Sequence, residues 1–211
     1  MLGLEDWLKD PLADRTQVTL TFDDGYASWN TAVAPLLAER SVPAAFFVCS
    51  GVVGLGGKEA RDFARNRMGR SQQLSFISLR ALSDLAGHHL FELGGHTLTH
   101  ADLGQIGDRH TIHEEIAGDR AQLEDWLGTP VRWFSYPFGT PANVSPLARS
   151  VVEEVGMSAA FTLIPGWWEA KSGDQLLIGR DGLDPSAPFS VSRAWLRGGY
   201  DRLYALKPQR R

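Results

Sequence analysis

The stretch Val18-Thr19-Leu20-Thr21-Phe22-Asp23-Asp24-Gly25 runs an apolar segment into two adjacent carboxylates and a glycine. Val18–Phe22 reads as a buried strand. Neighbouring Asp side chains repel one another, and each is costly to hide from water without a partner. At the mouth of a sheet such a pair can divide the work, one carboxylate binding a metal ion and the other acting as a general base. The same residues also describe a solvated Asp-Asp-Gly turn, because Asp-Gly is a strong turn signal in its own right. The choice between turn and site falls to the rest of the chain.

Outward from that stretch, short apolar runs alternate with segments of helical period, the pattern of a parallel α/β fold. Ala44–Val48 is apolar on both faces and is expected to be covered on both sides. Phe91-Glu92-Leu93 leads into Gly94-Gly95-His96, and Trp133–Tyr136 into Pro137-Phe138-Gly139. Ala159–Leu163 and Leu176–Ile178 read as the last strands. Between them, a helix is expected over Ala27–Arg40, with Pro35 either kinking it or marking its first turn. Ser78 caps a helix carrying Leu79, Leu82 and Leu85, which Gly87 stops. Ile112, Ile116, Leu123 and Leu127 recur at helical spacing up to Gly128 and Pro130, and Ser145-Pro146 opens a helix through Leu147, Val151 and Val152. A terminal helix is expected around Ser190–Leu196. Residues 51–74 break this rhythm with several glycines and then Lys58, Arg61, Arg65, Arg67 and Arg70. Such a connection is either a lid or a solvated, partly helical surface, and its excess of base could hold an anionic part of a substrate. No linker is visible, so residues 1–211 read as one domain.

Composition narrows the class of function. With 43% hydrophobic and 22% charged residues in 211, the chain has ample apolar material for one core. A net charge of −4 does not favour nucleic acid or an anionic membrane surface as partner. Cys49 is the sole cysteine, so no intrachain disulfide can form; following Phe46-Phe47-Val48, it reads as a small buried hydrophobe. No run reaches the ~18 apolar residues of a membrane-spanning helix. The acidic stretch Met1–Asp10 does not read as a signal peptide, and a cytoplasmic location is expected.

His96-Thr97-Leu98-Thr99-His100 is the second informative stretch. Two imidazoles four residues apart share a face if the segment turns helically, so both can ligate one cation. Like the Asp pair, they follow a strand end. In a parallel α/β sheet or barrel every strand C-terminus opens on one face, where residues far apart in sequence converge. That convergence turns the balance from turn to site. His88 and His89, near a helix end opposite the mouth, and His110 and His113, at a helix start, read as structural or solvated.

Taken together, Thr21-Phe22-Asp23-Asp24-Gly25 and His96-Thr97-Leu98-Thr99-His100 resemble the polysaccharide deacetylase family with the NodB-homology domain (carbohydrate esterase family 4). Phe134-Ser135-Tyr136-Pro137-Phe138-Gly139 resembles that family's third motif, and the match in order and spacing covers about residues 17–180. The resemblance implies a distorted (β/α) barrel of about seven parallel strands, with a divalent cation at its C-terminal mouth. Zinc is the usual ion, with cobalt, manganese or nickel as alternatives. By position, Asp24, His96 and His100 would be the ligands and Asp23 the general base. A backbone N–H near Phe138 would help hold the oxyanion, and Tyr136, Pro137 and Phe138 would lie beside the sugar. Phe134 reads as core. The implied reaction is removal of an N-acyl group, most often acetyl, from an amino sugar.

Two departures from the family pattern stand out. The arginine that many members use to orient the base aspartate is replaced by Ser135, and Arg132 or Arg180 would have to substitute. The late Leu-x-His motif, whose histidine protonates the leaving amine, has no counterpart, because no histidine follows His113. Leu177-Ile178-Gly179-Arg180-Asp181 occupies its place. Arg180 cannot readily act as that acid and would either bind an anionic substrate group or pair with Asp23. These departures admit two further readings: a carbohydrate-binding homologue with little or no turnover, and a deacylase of a small nucleotide-linked sugar or cyclic amide. Trp167-Trp168 would be either a sugar-stacking platform or ordinary packing.

Overall fold

A computed structural model describes residues 1–9, 17–72, 74–165, 173–183 and 187–196. In chain order the elements are α1 (Leu4–Lys9), β1 (Leu20–Asp23), α2 (Ala34–Glu39), β2 (Ala44–Val48), α3 (Gly57–Arg67), α4 (Leu79–Ala86), β3 (Phe91–Gly95), α5 (Arg109–Leu127), β4 (Trp133–Ser135), α6 (Pro146–Glu154), β5 (Ala159–Phe161) and α7 (Phe189–Leu196). The strands form one parallel sheet in the order β1-β2-β3-β4-β5. Because that order never reverses, right-handed crossovers place their helices on the same side, and the sheet curls toward a barrel instead of opening into a doubly wound plane. The expected α/β barrel architecture therefore holds.

The strand count does not: five strands form among the described residues, against about seven expected. The Leu176–Ile178 stretch runs beside β5 but contributes only an isolated parallel bridge between Ile178 and Phe161. A turn over residues 174–177 overlaps it, with the Leu177 N–H donating to the Asp174 carbonyl at 3.0 Å, and leaves too little extended chain for a ladder.

Alternation along β2 explains why all five of its residues are buried. Ala44, Phe46 and Val48 face outward into a cluster with Trp29, Leu37, Leu82 and Leu85 from the covering helices. Ala45 and Phe47 face inward with Trp133, Ala159, Phe161 and Ile178, and Leu4 of α1 packs into this group. A further cluster joins α5 and α6 through Ile112, Ile116, Val151 and Val152. Three expected caps form: Ser78 accepts from the Ala81 N–H, Ser145 from the Ala148 N–H, and Gly128 closes α5 in the left-handed region at φ 65°. The helix expected over Ala27–Arg40 is split. A π-turn spans Trp29–Val33, and Pro35 lies in the first turn of α2, since a residue lacking an N–H cannot continue the upstream ladder.

Candidate active site

The strands β1 to β4 end on one rim, and the candidate residues sit on or just past those ends. Asp23 closes β1 and Asp24 follows it; His96 follows β3; Ser135 closes β4. The Asp24 Oδ1 atom lies 3.4 Å from His96 Nε2 and 3.2 Å from His100 Nε2. All three donor atoms fall within 4.8 Å of one another. Two ligands around a tetrahedral ion, each at the usual bond length, stand about 3.4 Å apart, so this donor set fits a divalent cation without rearrangement. Two imidazoles and one carboxylate also suit zinc chemically and leave a coordination position for water or substrate.

The imidazoles are not brought together by a helical turn. Residues 96–100 form an irregular loop in which Thr97 and His100 take positive φ, 66° and 54°. Asp24 (87°) and Phe138 (61°) do the same, so four of the five non-glycine residues with positive φ among the described residues lie at this rim. Each such residue carries strain of order ~1–3 kcal/mol, which persists only where surrounding contacts over-determine it. Those contacts are visible. His96 donates from Nδ1 to the Ser135 carbonyl at 2.7 Å, which fixes the tautomer and leaves Nε2 free to face Asp24. Tyr26 donates its hydroxyl to Asp24 Oδ2 at 2.6 Å. Glu115 of α5 accepts from the Thr99 N–H at 2.9 Å and from the Thr99 hydroxyl at 2.6 Å.

Asp23 stands beside the cluster with its side chain 21% exposed, while that of Arg180 is only 10% exposed. Arg180 grips Asp23 in a two-pronged contact, Nη1 to Oδ1 at 2.9 Å and Nη2 to Oδ2 at 2.7 Å. Its remaining N–H groups donate to the Thr21 hydroxyl, the Ser135 hydroxyl and the Thr162 carbonyl. A guanidinium has five N–H donors, and these contacts engage all five. Arg180 is therefore the arginine on Asp23, and as a substrate-binding residue it is corrected: no donor remains for an anionic substrate group. Arg132 is not the substitute, because it pairs with Glu5 and covers the Trp133 ring. Ser135 also donates to Asp23 Oδ2, at 3.0 Å.

Electrostatics follow from these contacts. Burial pushes the Asp23 carboxyl up, but the charge and hydrogen bonds of Arg180 outweigh it and hold the group below its ordinary value. Burial likewise raises Asp24, and its close contacts with the His100 and His96 rings override it, leaving Asp24 far below the usual carboxylate range. For His96, burial pulls the imidazole down while Asp24 and Asp23 push it up, with a net rise. Burial and the neighbouring Asp24 charge raise the Tyr26 phenol, so it stays a hydrogen-bond donor to Asp24.

The third motif divides. Phe138 is 37% exposed, and its ring meets that of His100 edge-on with centroids 4.7 Å apart. Tyr136 and Pro137 are buried, and the Tyr136 hydroxyl donates to the Leu176 carbonyl at 3.1 Å. A wall of Tyr136, Pro137 and Phe138 beside the sugar is thus corrected to Phe138 alone, because Tyr136 faces the covering helices with Phe134, Ile112, Ile116, Val151 and Val152, away from the rim, and Pro137 is buried. Phe134 packs in the core against Tyr136, as expected. Cys49 is buried, and His88 and His89 stack on one another at the opposite end of β3, His88 also on Phe91. His110 is exposed beside Glu114. Residues 51–74 include α3 and expose most of their basic side chains, and Trp167-Trp168 lie outside the described residues. Sequence reasoning missed Tyr26, Glu115 and Asp119. Tyr26, two residues past Asp24, carried a local signal; the two acids of α5 carried none beyond their spacing of four.

Comparisons with known proteins bear on the family and the fold. A protein-family profile described as "Polysaccharide deacetylase" matches residues 12–160. Among solved structures, the chain is similar to IcaB from Ammonifex degensii, at 25% identity and a TM-score of 0.70, covering 93% of this chain and 81% of that one. It is also similar to the Streptococcus pyogenes deacetylase PplD, solved with acetate, at 18% identity and a TM-score of 0.72, covering 91% and 77%. A de-N-acetylase from Aggregatibacter actinomycetemcomitans shares the fold at 17% identity, TM-score 0.69, covering 92% and 82%. No curated protein matches the chain.

Proposed function

Because the chain belongs to the polysaccharide deacetylase family and is a hydrolase of the deacetylase type, we propose that it removes an N-acetyl group from an amino sugar, with Asp24, His96 and His100 holding a divalent cation, most simply zinc. The observation that carries this reading is the juxtaposition of the three-donor cluster with a separate carboxylate, Asp23, kept ionised by Arg180 and partly open to solvent. When bound, such a cation supplies Lewis-acid polarisation of the acyl carbonyl and acidifies water at the site.

The residues of the chain account for the remaining steps. Asp23, ionised and aimed by Arg180 and Ser135, takes a proton from the attacking water. The acyl carbon becomes tetrahedral, and the backbone N–H of Phe138 helps hold the oxygen that carries the new charge. Breakage of the carbon–nitrogen bond then requires a proton on the departing amine. The Tyr26 hydroxyl is committed to Asp24, and Arg180 cannot give up a proton at neutral pH. Asp23 is the group placed to return the proton it took, so one carboxylate serves as base and then as acid. The exposed ring of Phe138 offers the sugar an apolar wall.

Release of acetate from N-acetylated amino-sugar oligomers, measured before and after chelation and after readdition of zinc, tests the reading. Acetate release should stop on chelation, return with the metal, and be lost in Asp23→Asn. Undiminished release from the chelated protein or from Asp23→Asn would refute it. Among the described residues no helix is long and apolar enough to cross a membrane.

A further inference from the structure

Asp119 is the one acid among the described residues that is fully buried and has no part in the chemistry above. It projects from α5, and its two oxygens serve two different strand ends. Oδ1 accepts from the Ser50 N–H at 2.8 Å, just past β2, and Oδ2 accepts from the His96 N–H at 2.8 Å, just past β3. Among the described residues it has no lysine or arginine partner. A bare buried carboxylate is unfavourable, so its retention on two backbone amides has to be justified by what those amides gain.

The surroundings are shaped around this contact. A Cβ on Gly95 would come within 2.6 Å of Asp119 Oδ2, and one on Gly118 within 2.6 Å of Leu98 Cδ1. Glycine at both positions lets α5 approach the loop of residues 96–100 closely. One turn earlier on the same helix face, Glu115 holds Thr99 through its side chain and Leu98 through its backbone carbonyl. The loop after β2 closes onto the same segment, with the Gly51 N–H donating to the Leu98 carbonyl at 2.9 Å. His96 is thus pinned at its backbone by Asp119 and at Nδ1 by the Ser135 carbonyl, which leaves its Nε2 little freedom.

We propose that Asp119 is a positioning residue for the metal centre: by fixing the His96 backbone against the loop after β2, it sets the convergence of His96 Nε2 with His100 and Asp24. The proposal rests on the reading of that cluster as a metal site. Outer partners that orient a ligating histidine typically govern metal affinity by about 10–100-fold.

The test compares the parent protein with Asp119→Asn and Gly95→Ala. An asparagine can accept from one of the two amides, but its NH₂ group then faces the other N–H and that bond is lost. Gly95→Ala leaves the carboxylate in place and pushes Oδ2 away. Binding of Co(II) and Zn(II) is measured by competition with a chelator, the Co(II) protein is examined by visible absorption, and the metal-free fold by circular dichroism. Both variants should keep the fold, bind either ion about 10–100-fold more weakly, and show an altered Co(II) spectrum. Affinities within twofold of the parent and an unchanged spectrum would overturn the role of Asp119. So would failure of both variants to fold, which would make it a fold requirement. A parent protein that binds neither ion would instead refute the metal site itself.

Discussion

Replacing Arg180 with alanine should damage both stability and chemistry, and the size of each effect follows from how the pair is buried. The guanidinium is 10% exposed, Asp23 is 21% exposed, and the two are joined by contacts of 2.9 and 2.7 Å. Removing one partner from a buried, hydrogen-bonded ion pair costs about 3–5 kcal/mol, because the other charge is stranded. The partial exposure of Asp23 lets water offset some of this, which places the expected loss near the lower end, about 3 kcal/mol. In a domain of this size that corresponds to a fall in Tm of about 6–12 °C. Pairing with Asp23→Asn in a double-mutant cycle isolates the interaction, and a coupling of about 2 kcal/mol is expected at neutral pH.

The sign of the pH dependence is determined. Asp23 lies below its ordinary value of 3.8 in the folded protein, so its contribution is present above that pH and is lost as pH falls through the folded value. Without Arg180, the largest influence opposing burial is removed and the carboxyl moves upward. Thermal and urea unfolding of the four proteins, together with acetate release, make the assay; kcat for Arg180→Ala should fall by about 10²–10⁴ as the base loses its aim. Additivity of the two substitutions within ~0.5 kcal/mol, or unaltered kcat in Arg180→Ala, would refute the assignment of Arg180 as the partner of the base.

Three further outcomes are expected. Tyr26→Phe removes the hydroxyl that donates to Asp24 Oδ2 and should weaken zinc binding about 10-fold with little loss of fold, measured by chelator competition. Gly94→Ala would place a Cβ within 2.6 Å of the Phe47 ring and 2.8 Å of the Trp133 carbonyl, so overpacking of about 1–3 kcal/mol should appear in thermal unfolding. For Glu124, burial raises the carboxyl, but hydrogen bonds from Arg120 and the Val131 N–H leave it below its ordinary value of 4.5. Its contribution is therefore present above that pH and lost below it, and Glu124→Gln should flatten the acid limb of the stability curve by less than about 1 kcal/mol.

Much of the site was legible because its parts are local. Asp23-Asp24-Gly25 follows an apolar run, His96 and His100 are four residues apart, and both stretches sit where strands end; parallel topology then brings strand ends together whatever the loops do. The caps at Ser78 and Ser145 and the left-handed stop at Gly128 were legible for the same reason, since each is decided within one turn of helix. Strand number was less so, because the Leu176–Ile178 stretch has strand composition but is reduced to a bridge by the turn that overlaps it.

By itself the sequence determined which residue types meet at the rim of a parallel α/β barrel, and hence the class of chemistry. Only the tertiary structure decided how they are held. Nothing in the local pattern links Arg180 to Asp23, 157 residues away, or Asp119 to the His96 amide. The loop of residues 96–100 uses left-handed backbone in place of the helical turn its spacing suggested. Tyr136, which the motif placed beside the substrate, is turned into the core. The physical reason is common to these cases. Apolar periodicity and turn chemistry are properties of a few consecutive residues, whereas the pairing of a buried charge depends on which loop conformations and helix contacts leave a partner within hydrogen-bonding distance.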